Sequence, residues 1–114
     1  MRKEITLRFT RFVECHVKPD KKDDFTHKLG NDVLPILQKQ PGFVDLIGLV
    51  SENDPERIVS VSFWISKQDA DRYHREHYNR IAEMLKPSLK RDPVVDTFNV
   101  DTWTTQRIAA GKAA

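Results

Sequence analysis

An α+β fold is expected of this chain: one antiparallel sheet of four strands with two helices on a single face, the ferredoxin-like arrangement. Four segments carry the period-two alternation of strands, two carry helical periodicity, and they follow one another as strand-helix-strand twice over. The 114 residues amount to one domain, and 39% hydrophobic with 32% charged residues is the balance of a globular protein. That domain is expected over residues 1–104, with a flexible C-terminal tail over 105–114.

Strand β1 is read from "ITLRFTRFVECHVK" (residues 5–18), where Ile5, Leu7, Phe9, Val13, Cys15 and Val17 share one face and Arg11 is the only break. Helix α1 falls in "PDKKDDFTHKLGNDVLPILQKQPGF" (19–43). Pro19 and the acidic residues after it suit a helix N-terminus, Phe25, Leu29, Val33, Ile36 and Leu37 recur at helical spacing, and Pro41-Gly42 ends the run. Pro35, which has no backbone donor, should kink α1 or divide it. Strands β2, "FVDLIGLVS" (43–51), and β3, "RIVSVSFWIS" (57–66), form a hairpin across the turn formers of "ENDPE". Helix α2 is expected from Lys67 to Lys86, closed before Pro87. Its N-cap is Ser66, accepting from the amide of Asp69, with the Asp69 and Asp71 carboxylates at the positive end of the helix dipole. Strand β4 is "PVVDTFNVDTW" (93–103), which completes the order β1-α1-β2-β3-α2-β4.

Two helices cover one face of such a sheet. In β3, Val59, Val61, Phe63 and Ile65 form one apolar face, expected under the helices, while Ile58, Ser60, Ser62 and Trp64 form the other. With Phe12, Ile47 and Leu49 joining Ile58 and Trp64, that second face is too apolar to meet water. A homodimer with two sheets packed face to face is therefore expected. Ser60, Ser62, Thr97 and Asn99 would place hydrogen-bonding groups on this dimer-facing side, and Glu14 and His16 an ion pair.

Several function classes are excluded. A net charge of +2, with basic and acidic residues interleaved, gives no patch suited to nucleic acid. One cysteine, Cys15, excludes an internal disulfide and a thiolate zinc site, and it lies among helix-facing positions where a small buried hydrophobe is the default. The N-terminal segment alternates rather than running apolar, and no stretch approaches a membrane span, so no membrane partner and a cytoplasmic location are expected. Gly-rich phosphate loops, Ser-His-Asp order and nucleotide fingerprints are absent.

The "QPGF" turn, and "FWISKQDADRYHREHYNRI" running from β3 into α2, resemble the antibiotic biosynthesis monooxygenase (ABM) domain of the dimeric α+β barrel superfamily. The resemblance spans Phe9 to Trp103. It implies a homodimer and a cofactor-independent monooxygenase acting on small aromatic or quinol-like substrates. The superfamily also holds haem-degrading enzymes, isomerases and members without an assigned activity, so a non-catalytic dimeric ligand-binding or structural module is the alternative. Haem-degrading relatives carry an Asn on the first strand and a Trp and a His on the second helix. Here those positions hold Val13, Tyr73 and Glu83, so the resemblance implies no haem and no other cofactor.

Candidate site residues concentrate on α2, where Ala70, Tyr73, His74, His77, Ile81 and Leu85 share the side facing the sheet. His74 and His77 are the candidate catalytic residues, since an imidazole titrating near neutrality can take a proton from a phenol-like substrate. The competing readings are a rim histidine bonding solvent or backbone, and a metal pair. The metal pair lacks a third ligand, and "HREH" is not the four-apart spacing of zinc-binding histidines. Trp64, Tyr73, Asn99 and Ser62 are the candidate substrate-binding residues, Trp64 and Tyr73 as aromatic walls with polar tips. A pocket of about 300 Å³ or more under α2 would favour an enzyme or binder, and a solid core a structural role.

Overall fold

A computed structural model describes residues 7–103. Strands β1 (Phe9–His16), β2 (Phe43–Val50), β3 (Arg57–Trp64) and β4 (Val94–Asn99) form one antiparallel sheet in the order β2-β3-β1-β4. Helix α1 runs over 22–38 and α2 over 67–85, giving the expected β1-α1-β2-β3-α2-β4 sequence of elements with both helices on one side. The expected tail at 105–114, and Ile5 at the start of the β1 pattern, lie outside the described residues. Among the described residues no helix is long and apolar enough to cross a membrane.

Both helices carry one π-helical turn between α-helical pieces. In α1 the turn Leu29–Val33 separates Lys22–Lys28 from Leu34–Gln38. Pro35 sits in the first turn of the second piece, where its fixed φ is favourable, and the wider turn before it gives the ring room. The helix thus adjusts in place rather than breaking. In α2 the π turn His74–Tyr78 lies between Lys67–Tyr73 and Asn79–Leu85. Ser66 caps α2 as expected, its Oγ accepting from the Asp69 amide at 3.1 Å and donating to Asp69 Oδ2 at 2.9 Å.

The turn after α1 depends on Gly42, whose φ of +80° is costly for any residue with a Cβ. A Cβ there would also lie 2.6 Å from Cγ and 2.7 Å from Cβ of Asp69, the residue that completes the α2 cap. Gly42→Ala is therefore expected to destabilise the fold by about 2–3 kcal/mol, from the left-handed backbone and the disturbed cap together. Urea denaturation reads this directly; a midpoint within error of wild type would contradict it.

Strand pairing corrects the expected faces of β3. Phe9 pairs with Trp64, Arg11 with Ser62, Val13 with Ser60 and Cys15 with Ile58, so the Ile58, Ser60, Ser62 and Trp64 face lies under the helices. Val59, Val61 and Phe63 lie on the uncovered face with Phe12, Ile47 and Leu49. Two side chains decide this. Trp64, completely buried, needs the thick helix-sheet layer, and Ile58 fills the same core beside Cys15. A bulge between Phe43 and Asp45 then allows both Phe43 and Leu46 to pack inward from β2. Phe25, Val33 and Leu37 of α1 and Ala70, Tyr73, Ile81 and Leu85 of α2 close the core from the other side.

The outer face is consequently more apolar than expected. Ile47, Leu49, Val94 and Phe98 are each 41–56% exposed, and Phe12 and Phe98 meet edge to face at 5.1 Å. These strands border an open hollow of about 740 Å³. At one end Arg57 Nε donates to Glu14, and His16 Nε2 lies 3.8 Å from the same carboxylate, the expected pairing on this face.

Candidate functional site

The break in the β1 pattern marks the centre of the site. Arg11 occupies an inward position, opposite Ser62 on β3 and Thr97 on β4, and is only 3% exposed. Its guanidinium carbon lies 5.1 Å from the ring centroids of both Tyr73 and Tyr78, and Nη2 lies 2.8 Å from His74 Nδ1. The π turn explains how one cation reaches two tyrosines five residues apart. Widening the helix to an i→i+5 repeat places Tyr73 and Tyr78 one above the other, where an α-helix would splay them. Within the same turn the His74 and Tyr78 rings stack at 4.9 Å and those of Tyr73 and His77 at 6.3 Å.

The electrostatics of this cluster are one-sided. Among the described residues no carboxylate forms an ion pair with Arg11. Burial lowers its pKa, while Tyr73, Tyr78 and more remotely Asp71 oppose that shift. A guanidinium only donates, so His74 Nδ1 accepts and the ring proton of the neutral imidazole sits on Nε2. Burial first, and then the Arg11 charge, hold His74 below its ordinary 6.5, so it is neutral at pH 7. Burial pushes the Tyr73 phenol up to about 12 despite the pull of Arg11, and raises Tyr78 for the same reason. One buried cation thus faces three neutral rings.

A cavity of about 30 Å³ lies beneath, bounded on its polar side by Arg11, Ser60, Ser62, Tyr73 and Tyr78 and floored by core side chains such as Phe25. That is room for about one water molecule, far below the volume expected for a preformed substrate pocket.

The structure separates the candidates read from sequence. Tyr73 and His74 meet at Arg11. His77 does not: its Nδ1 lies 3.1 Å from Arg80 Nη2 and its Nε2 4.0 Å from Glu76. Contrary to the expectation that both histidines face the sheet, His74 is exposed and His77 only half-buried. Trp64 is wholly buried between Phe43 at 5.6 Å and Tyr73 at 5.3 Å, so it backs the tyrosine instead of walling the cavity. Its Nε1 donates to Ser62 Oγ at 2.9 Å, which moves Ser62 from the expected dimer-facing side to the helix side. Thr97, opposite Arg11, moves with it. Asn99 is exposed at the end of β4 and borders the outer hollow, away from the cluster. Burial pushes the Cys15 thiol up to about 11, which suits the buried hydrophobe expected there. Among the described residues no three His, Cys, Asp or Glu side chains gather as a metal would require.

Arg11 and Tyr78 are absent from the sequence-derived site. The signal for Arg11 was present as the one charged residue on the inward face of an apolar strand. Tyr78 was passed over although it lies four residues after His74 and three before Ile81 on the same helical face; only its pairing with Tyr73 has no counterpart in α-helical spacing.

Solved structures share this fold. A monooxygenase of Streptomyces coelicolor, determined with the ligand nanaomycin D, superposes with a TM-score of 0.73 at 19% identity, covering 85% of this chain and 90% of its own. A protein of unknown function from Nitrosomonas europaea gives 0.72 at 12% identity over 88% and 95%. A conserved protein from Methanosarcina mazei gives 0.69 at 20% identity over 81% and 91%. At these identities the likeness concerns the fold. Among curated proteins none matches this chain in sequence. The antibiotic biosynthesis monooxygenase family model, however, matches residues 8–84, from the strand that carries Arg11 through the helix that covers it, and the chain belongs to the antibiotic biosynthesis monooxygenase (ABM) family.

Proposed function

We propose that the chain is a homodimeric, cofactor-independent monooxygenase of small aromatic, quinol-like substrates, acting in the layer between α2 and the sheet. The observation that carries this reading is the buried Arg11 cation beneath a neutral His74, with aromatic rings on either side. A flat substrate that loses a hydroxyl proton becomes an electron-rich anion, and such a site supplies a proton acceptor, a positive charge and shelter from water. The substrate anion itself then reduces dioxygen. For a ring methylene conjugated to the hydroxyl, both methylene hydrogens are lost, one oxygen atom becomes the carbonyl and the other leaves as water. The four electrons removed from carbon match the four that dioxygen accepts. That a monooxygenase of the same fold was determined with nanaomycin D supports a ligand of this general kind.

The homodimer rests on the outer sheet face, where a second copy would cover Ile47, Leu49, Val94 and Phe98 while leaving α2 outward. A reducing cytoplasm suits the single free, buried cysteine. Oxygen uptake with a panel of hydroquinones and polyphenols tests the activity. Arg11→Gln and His74→Gln are expected to lower turnover by about 100-fold or more, the usual contribution of a positioned acid-base group. His77→Ala, whose ring is turned to Arg80 and not to Arg11, should stay within about threefold of wild type. Uptake that survives undiminished in both of the first two variants rules out the proposed site.

A non-catalytic dimeric module that binds a small ligand is the second reading. The cavity of about 30 Å³ favours it, because no ring-sized space is formed in advance. It predicts ligand binding without oxygen consumption by any phenol in the panel.

A further inference from the structure

The Arg11–His74 contact constrains how a ligand can use either group. In the resting arrangement the imidazole lone pair at Nδ1 is occupied by the guanidinium, so His74 has no free site at which to receive a proton. Arg11 in turn is a buried cation whose partners, His74 Nδ1 and the Tyr73 hydroxyl, are both neutral, the weaker of the two kinds of acceptor available to a guanidinium. His74 is the outer, exposed member of the pair and Arg11 the inner one that lines the cavity. A ligand oxygen placed between them would satisfy both, taking the guanidinium as an anion and releasing Nδ1 as the acceptor for its own proton.

We propose that Arg11 and His74 form a ligand-operated interlock: an acidic ring hydroxyl, phenolic or enolic, displaces His74 Nδ1 from Arg11, binds the guanidinium as its oxyanion, and leaves its proton on the released imidazole. This rests on the reading that hydroxylated aromatic ligands enter the layer beneath α2, and it adds how the resting pair admits the ligand and the state in which the ligand is held. The proton balance is closed. The hydroxyl O–H bond breaks, an N–H bond forms at His74 Nδ1, and no proton reaches solvent. The product is an oxyanion held between guanidinium and imidazolium, each making a charge-assisted hydrogen bond. The flanking Tyr73 and Tyr78 rings select a flat partner and, held neutral by burial, do not compete for the proton. Asp71, and Cys15 and Asp92 beside Tyr78, are the other titratable groups that bear on the cluster. None of them forms an ion pair with Arg11.

The probe is 4-nitrophenol, whose phenolate absorbs at a wavelength where the neutral phenol does not, titrated with the full-length protein about one unit below the phenol's own pKa. Wild type should develop the phenolate band on binding with no net proton release, measured as an enthalpy of binding that does not change with the ionisation heat of the buffer. His74→Gln should still develop the band, now with one proton released to buffer per ligand bound. Arg11→Gln should lose the band and weaken binding by about 100-fold, with Arg11→Lys in between because the point charge remains and the fork does not. Circular dichroism confirms that each variant is folded, and should Arg11→Gln fail to fold, Arg11→Lys and His74→Gln carry the same decision. Binding of the neutral phenol, no binding at all, or a proton released by wild type as readily as by His74→Gln overturns the interlock. Phenolate capture by a protein that never consumes oxygen leaves the interlock standing and removes only the monooxygenase reading.

Discussion

Arg11→Met is expected to make the ligand-free protein more stable by about 1 kcal/mol while lowering phenolate capture at least about 100-fold. The stability gain follows from what the guanidinium lacks. Buried ionic groups replaced by apolar side chains of similar volume commonly gain about 1–4 kcal/mol, since the charge no longer has to leave water. Two tyrosine faces and one imidazole nitrogen offset part of that cost here, each ring by about 1–2 kcal/mol at such a desolvated position, so the net gain sits at the low end. Met fills the same elongated space and can lie against both rings. Urea denaturation of the two proteins without ligand checks the first half, and titration with 4-nitrophenol the second. A loss of 2 kcal/mol or more would make Arg11 a structural strut, and the capture site would have to be sought elsewhere.

A stability cost held at a functional position is also the reason the sequence was legible for the fold and less so for the site. The element order came through because alternation in β1 and the Phe25, Leu29, Val33 spacing in α1 report burial, and burial is what folds the chain. Ser66 was readable as a cap because its chemistry is local, reaching only to Asp69. The faces of β3 were misread for a physical reason. Val59, Val61 and Phe63 make the greasier face, and the greasier face was taken to be the core, whereas here it is the one left uncovered. The inner face carries Ser60 and Ser62 where it borders the cavity beside Arg11. Ser62 and Trp64 were therefore placed on the right strand and the wrong side. The pairing of Tyr73 with Tyr78 needed the π turn, and neither hydrophobic spacing nor propensity encodes an i→i+5 repeat in five residues as polar as His74 to Tyr78.

Phe98→Asp is expected to convert the proposed dimer into a folded monomer, with association weakened by about 1,000-fold or more. Phe98 is half exposed on β4, an edge strand paired only to β1 in this sheet, so the change should disturb the chain's own core little. In a two-fold interface the same change is made twice, and each carboxylate would have to be buried without a partner among Phe12, Ile47 and Leu49. The sheet supplies enough surface for a stable pair: four strands of about eight residues present roughly 500 Å² in projection, and their side-chain relief brings this near the roughly 800 Å² that each partner gives up in a standard interface. Sedimentation at micromolar concentration should show wild type at twice the mass of the chain and Phe98→Asp at one. Wild type at single mass would remove the homodimer. The monomeric variant then separates assembly from chemistry. Arg11, Tyr73, His74 and Tyr78 all belong to one chain and lie on the helix side of the sheet, so the dissociated protein should still capture 4-nitrophenolate within about threefold of wild type, near the usual scatter of a remote substitution. A monomer that folds but cannot capture it would mean that the second copy holds α2 in its working position.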